Sequence, residues 1–203
     1  MPSSTARRFA SLAASLLLWA AMLGVDVAQG ASAELMSAGL SRDEPGERPG
    51  LFVEAHYEFD LPLPLIDAMH RGIPLYFTYE FTLSRSRWYW LDKNVTSDRF
   101  NIRLAFNPLT RRYAVSYSGI SLNFDTLEEA YPYIKNIRRW RVAPSDAVSD
   151  DSNFNAELRF FLDVKRLPKP MQVTNHDSGD WTVESGWTGL QIPKEIIDSS
   201  GEE

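Results

Sequence analysis

From residue 51 onward the chain alternates. Leu51, Val53, Ala55, Tyr57, Phe59 and Leu61 take every second position, with Phe52, Glu54, His56, Glu58 and Asp60 between them. A period of two with one apolar and one charged side marks a half-buried strand. The period returns over Ile73 to Ser84. There Ile73, Leu75, Phe77, Tyr79, Phe81 and Leu83 point inward, and Thr78, Glu80 and Thr82 point outward. Trp88-Tyr89-Trp90 predicts a short strand that Asp92-Lys93-Asn94 turns. Phe100, Ile102, Leu104 and Phe106 face Tyr113, Val115 and Tyr117 across Asn107-Pro108-Leu109-Thr110, where Pro takes the second position of a type I turn. Phe154, Ala156, Leu158, Phe160, Leu162 and Val164 predict another long strand, stopped by Leu167-Pro168-Lys169-Pro170. Trp181, Val183 and Ser185 predict a last one.

Two stretches carry the helical period instead. Pro64 opens a segment with Leu65, Ile66, Ala68 and Met69 at helical spacing, and Gly72 stands where a left-handed C-cap belongs. From Asp125 to Ile137, Leu127, Ala130, Tyr131, Ile134 and Ile137 make one apolar stripe. Asp125 and Glu128 have capping-box spacing, and Pro132 should kink or shorten this helix. About seven strands and two short helices predict an α+β fold, mainly antiparallel β. A sandwich or a strongly curved sheet with the helices at its edge is expected, with a closed barrel as the alternative. A lipid-facing barrel is not expected, because the outward positions carry Glu, Arg, Asp and Asn.

The ends read differently. Arg7 and Arg8 precede an uncharged run from Phe9 to Val25, followed by Ala31-Ser32-Ala33 or Ala28-Gln29-Gly30 as an exit site. A basic start, an apolar middle and small residues at the exit are the parts of a secretory signal. Residues 1–33 are therefore expected to be removed on export, with cleavage after Gly30 or Ala33. An uncleaved membrane anchor is the minor alternative, since 17 uncharged residues only just reach the length of a span. Residues 34–50, with Pro45-Gly46 and Pro49-Gly50, read as a flexible leader. Residues 51–192 read as a single β-rich globular domain, and 193–203 as a disordered acidic tail. The expected location is the periplasm.

Composition sharpens this picture mainly by exclusion. The 203 residues are 44% hydrophobic and 24% charged, enough for one real core. With no Cys, there is no disulfide framework, thiolate metal site or cysteine nucleophile. The net charge of −6 lies mostly in the flanks. Between residues 51 and 192 there are 16 Lys and Arg against 18 Asp and Glu, and 12 of the 16 are Arg. A nucleic-acid partner is therefore not expected. Arginine's planar fork suits carboxylate or phosphate pairing.

Candidate chemistry is sparse. Glu54, His56, Glu58 and Asp60 share one strand face, but an alternating charged face is usually a wet one. His70 falls at a helix C-terminus and His176 in a loop, without metal-ligand spacing. Asp146, Asp150 and Asp151 lack the spacing of an EF-hand calcium loop. No G-x-S-x-G, P-loop or dinucleotide fingerprint occurs. No catalytic residue, metal ligand or cofactor is assigned. Arg85-Ser86-Arg87-Trp88-Tyr89-Trp90 alternates arginines with aromatics, the residue types of binding hot spots. Arg85, Arg87, Tyr89 and Arg111 are the candidate binding residues. Arg138-Arg139-Trp140-Arg141 has a similar character but follows a helix end, where cations are favoured anyway.

Several separate motifs resemble one bacterial family. They are Arg71-Gly72-Ile73-Pro74-Leu75-Tyr76-Phe77, Arg87-Trp88-Tyr89-Trp90, and Leu109-Thr110-Arg111-Arg112-Tyr113. Leu167-Pro168-Lys169-Pro170-Met171-Gln172-Val173 and Asp180-Trp181, with Ser185 and Trp187, complete the set. In this order, over residues 51 to 192, they resemble domain of unknown function 4390. The resemblance implies an exported protein of proteobacteria, sometimes described as a proline-rich signal-peptide protein. Genes of that family often neighbour a membrane sensor kinase of the nitrogen-regulation type, so the resemblance also implies an envelope signalling partner, and it carries over no catalytic residue. The expected function is a non-catalytic periplasmic binding or accessory module for an envelope sensor or other membrane protein. The alternatives are a carboxylate-dependent hydrolase using Glu54 and Glu58, or a carrier of an apolar ligand between sheet layers.

Overall fold

The computed structural model describes residues 31–43, 49–85, 93–148, 153–172, 181–193 and 196. Their strands are β1 (Ala31–Ser32), β2 (Glu34–Asp43), β3 (Gly50–Glu58), β4 (Leu75–Arg85), β5 (Lys93–Asn107), β6 (Arg112–Tyr117), β7 (Ile120–Phe124), β8 (Asn136–Ala143), β9 (Phe154–Leu162), β10 (Val183–Glu184) and β11 (Thr188–Leu190). Two helices, α1 (Leu63–His70) and α2 (Leu127–Lys135), interrupt them. The large sheet runs β1-β10-β9-β4-β5-β6-β7, with β11 beside β9, and the small one runs β2-β3-β8. Every pairing is antiparallel except β1 with β10. The protein is an α+β sandwich dominated by antiparallel strands.

The alternating sets meet between the two sheets. Tyr57 of the small sheet and Phe59 just beyond the end of β3 close on Phe77, Tyr79 and Phe160 of the large one, all at most 5% exposed. Phe160 lies at the centre, with ring centroids 4.8 Å from Tyr79, 5.1 Å from Phe59, 5.3 Å from Tyr57 and 5.7 Å from Phe77. Buried aromatics in offset and tilted contact add specific geometry to the area they remove from water. Trp140 of β8 extends the seam, packing on Phe81 and Phe100.

Local chemistry fixes the connections. In α1, Gly72 (φ 89°) takes the left-handed position, its N–H donating to Met69 O while Ile73 N–H donates to Ala68 O. That pair of bonds is the Schellman closure expected of the sequence. Between β6 and β7, Ser118 (φ 46°) and Gly119 (φ 82°) both take positive φ across the Tyr117–Ile120 pair. This is the backbone of a type I′ hairpin turn. Pro132 lies inside α2, which ends at Lys135 and passes directly into β8. The carbonyl of Ile134 near that end, which has no helical partner, accepts from Tyr79 Oη at 2.8 Å in the core.

Four expectations need correction. Residues 34–50 are not all a flexible leader, because Glu34–Asp43 forms β2, paired with β3 from Glu34–Glu58 to Asp43–Gly50. Among residues 34–42 only Leu40 is buried, so the sequence lacks the apolar alternation that betrays the other strands. Ala31 and Ser32, expected within residues 1–33, pair with Val183 and Glu184, and Ala33 is buried. Ile196, inside the expected tail of 193–203, is buried in the core. The strands number eleven among the described residues rather than seven: β1, β2, β7 and β11 are short or mostly exposed, and β8 takes Asn136 and Ile137 from the expected helix and runs on through Arg138-Arg139-Trp140-Arg141, which the sequence placed at a helix end. The expected Trp88–Trp90 strand and the signal segment up to Gly30 lie outside the described residues.

Candidate functional site

Of the candidate binding residues, the two described ones, Arg85 and Arg111, lie at opposite ends of the large sheet's β4–β5 ladder. Arg85 ends β4, paired with Lys93 and Phe154, and its guanidinium sits 5.1 Å from the Phe154 ring centroid. Arg111 lies at the opposite end of the β4–β5 ladder, beyond the Leu75–Leu104 pair, in the turn before β6. Eleven-residue β4 spans roughly 35 Å at strand rise, so the two arginines cannot touch one small partner surface together. Arg87 and Tyr89 lie outside the described residues.

Arg111 instead rims a shallow depression of about 510 Å³ with His70, Phe106, Tyr113 and Asp125. Its φ of 56° follows from the turn. Asn107 Oδ1 accepts from Leu109 N at 2.9 Å and Thr110 N at 3.3 Å, and Asn107 O accepts from Arg111 N at 2.7 Å. His70 Nε2 and Tyr113 Oη are 2.8 Å apart, and burial, then the charge of Glu128, push the Tyr113 phenol up. Asp125 is held by Arg112 at 2.8 Å.

The carboxylates of the hydrolase alternative do not behave as an acid–base pair. Glu54 and Glu58 are both exposed. Glu58 accepts from Lys135 Nζ at 2.6 Å and lies 3.1 Å from His56 Nε2. The Lys135 hydrogen bond leads the influences that hold the Glu58 carboxyl below its ordinary value, which keeps it ionised rather than poised to donate a proton. Among the described residues no three His, Asp or Glu side chains gather as a metal site requires.

The strongest electrostatic feature is one the sequence left as an ordinary outward residue. Glu80 projects from central β4 away from the inter-sheet core, yet it is only 5% exposed. Arg99 on β5 and Arg159 on β9 are its registered neighbours on either side. Arg99 donates to Oε1 from Nε at 2.9 Å and Nη2 at 2.6 Å. Arg159 donates to Oε2 from Nε at 2.8 Å and also from Nη2. Burial alone would raise this carboxyl, but the hydrogen bonds and charges of the two arginines outweigh it and hold it below its ordinary value. Two forked cations on one carboxylate form a rigid, charge-assisted brace across three strands.

Aromatic rings complete the face. Arg159 lies 4.8 Å from the Phe161 ring and 4.5 Å from that of Trp187, which is 43% exposed. Ser185 anchors the segment before Trp187: its N–H donates to Phe160 O at 2.8 Å, and its Oγ accepts from Phe160 N at 2.9 Å. Arg159, Glu184, Ser185 and Trp187 border an open depression of about 520 Å³ beside β1. Trp187 is thus presented to solvent on a guanidinium that is itself clamped.

Fold and face together define a two-layer α+β sandwich whose larger sheet carries a braced arginine–aromatic outer surface. Within that class the chain belongs to the family described as Domain of unknown function (DUF4390), whose model matches residues 31–191. No curated protein and no solved structure matches the chain.

Proposed function

We propose that the protein is an exported periplasmic binding module without catalytic chemistry of its own, and that its outer sheet face docks onto the external region of a membrane protein such as an envelope sensor. The observation that carries this reading is Trp187. A large aromatic left partly in water on the clamped Arg159 loses little side-chain freedom on binding, and Trp and Arg dominate binding energies. The basic residues, apolar run and small exit residues before Ala31 support export. A family match that starts at residue 31, and the pairing of Ala31 and Ser32 with β10, favour cleavage after Gly30.

The test is a photo-crosslinking amino acid placed at position 187 in living cells, with position 63 as control. Leu63 is 76% exposed but belongs to α1, away from this face. A discrete adduct with a membrane protein at 187 and none at 63 is the expected result. No adduct at 187, or equal labelling at both, overturns the reading.

The apolar-carrier alternative has its own observation. A cleft of about 480 Å³ opens where β5 and β6 meet the end of α2, lined by Phe100, Tyr117, Pro132, Tyr133 and Ile137. Its size and aromatic walls fit a small apolar ligand. Native mass spectrometry of protein taken from its own periplasm should then show added mass, and the bare protein mass alone would count against it.

A further inference from the structure

Tyr76 and Glu80 stand four residues apart on β4 and therefore on the same outer face. Each is bracketed by two arginines, but the two sites differ in what lies between the cations. At Glu80 the carboxylate binds Arg99 and Arg159. At Tyr76 the registered neighbour on β5 is Arg103, and Arg166, from the 3-10 turn Val164–Arg166, stacks 3.7 Å from the Tyr76 ring centroid. Neither Arg103 nor Arg166 makes an ion pair or side-chain hydrogen bond with a described residue. Both line a depression of about 360 Å³ whose described walls hold no carboxylate. Among the described residues, the fold gathers two guanidinium groups there without supplying their anion.

The remaining walls offer donors. Asn101 Oδ1 accepts from Thr78 Oγ1 at 3.0 Å, so its amide NH₂ is left to donate. Ser116 and Ser121 share one hydrogen bond at 3.0 Å, which consumes one of their two hydroxyl protons and leaves the other to offer. Two forks, an amide and a hydroxyl exceed what the two oxygens of a carboxylate can use. A phosphoryl group, with three or four oxygens and up to two negative charges, matches them in number and charge.

We infer that the depression over Tyr76 is a phosphoryl-binding site, with Arg103 and Arg166 as its two cationic arms. It lies on the β5–β7 side of β4, whereas Trp187 lies on the β9 side, so it stands or falls apart from the docking reading. The test titrates the purified full-length mature protein with inorganic phosphate, followed by amide NMR shifts, with acetate as the carboxylate comparison. Saturable shifts at Asn101, Arg103, Ser116 and Ser121 with phosphate are expected, weakened about tenfold by Arg103→Gln or Arg166→Gln and unchanged by Arg111→Gln. An unchanged urea midpoint in each variant separates lost binding from lost folding. Arg103→Lys, which keeps the charge but loses the fork, should bind more weakly than wild type and better than Arg103→Gln.

A second arm uses vesicles of phosphatidylcholine alone or with phosphatidylglycerol. Sedimentation with the anionic vesicles that Arg166→Gln abolishes supports the site with a lipid headgroup as its source. Phosphate binding without vesicle binding supports it with a soluble phosphate compound. Acetate binding as strong as phosphate, phosphate shifts insensitive to both arginines, or no saturable shift would overturn the proposal.

Discussion

Glu80 shows how far one residue's role can depart from its sequence pattern. An acidic side chain on the outward side of a strand is ordinarily hydrated, but here the registered arginines close over it. Glu80→Gln keeps the shape and removes the charge that both forks recognise. Arg99 is 60% exposed and can recover water, which limits the penalty. The expected loss is about 2 kcal/mol at neutral pH, read as a lower urea midpoint at unchanged slope. The pH dependence has a definite sign. A carboxyl whose folded pKa is lowered contributes its full stability above its ordinary value of 4.5 and loses it as pH falls through the lowered folded value. The gap between wild type and Glu80→Gln should be constant near neutrality and shrink below that value. A gap that persists undiminished to about pH 2 would mean the carboxylate charge is not what secures the arginines.

At the scale of elements, boundaries are set by which side chain reaches which backbone group. The spacing in the sequence places the second helix from Asp125, with Glu128 closing a capping box. In the fold the cap is one residue later: Thr126 Oγ1 accepts from Glu129 N at 3.2 Å, and Glu129 Oε2 accepts from Asp125 N at 3.1 Å. Asp125 is drawn away by Arg112, a partner 13 residues distant that local spacing cannot reveal. Thr126→Ala should therefore cost about 1 kcal/mol in a urea titration, whereas Asp125→Ala should cost less than half of that. A reversed order would return the cap to Asp125. The strands follow the same logic. Those with a buried face, such as β3, β4 and β9, were legible from alternation alone. β2 was not, because eight of the nine residues 34–42 escape full burial and its order comes from backbone pairing with β3.

At the scale of the whole molecule, the two-layer architecture was legible because each core strand advertises its inner side. The outer face was not, because the Glu80 brace and the Tyr76 depression exist only once β9, β4 and β5 are in register, and that register joins residues far apart in sequence, Glu80 and Arg159 being 79 positions apart. The N-terminal edge poses the same problem. Small residues read equally well as a cleavage motif or as a strand, and the fold uses them as a strand. Ala31 N–H donates to Thr182 O at 3.0 Å and Ala33 N–H to Glu184 O at 2.9 Å, while Ala33 is 4% exposed. Two backbone hydrogen bonds and a buried methyl stabilise the edge beside Trp187, and the entropy of ordering three residues takes back part of the gain. A net contribution of about 1 kcal/mol corresponds to roughly 2–4 °C in a domain of this size. A chain beginning at Glu34 should melt lower by that amount than one beginning at Ala31, with faster amide exchange at Val183 and Glu184. Equal melting temperatures and equal exchange would show that β10 holds its place on β9 without β1, and processing after Ala33 would then leave the sheet intact.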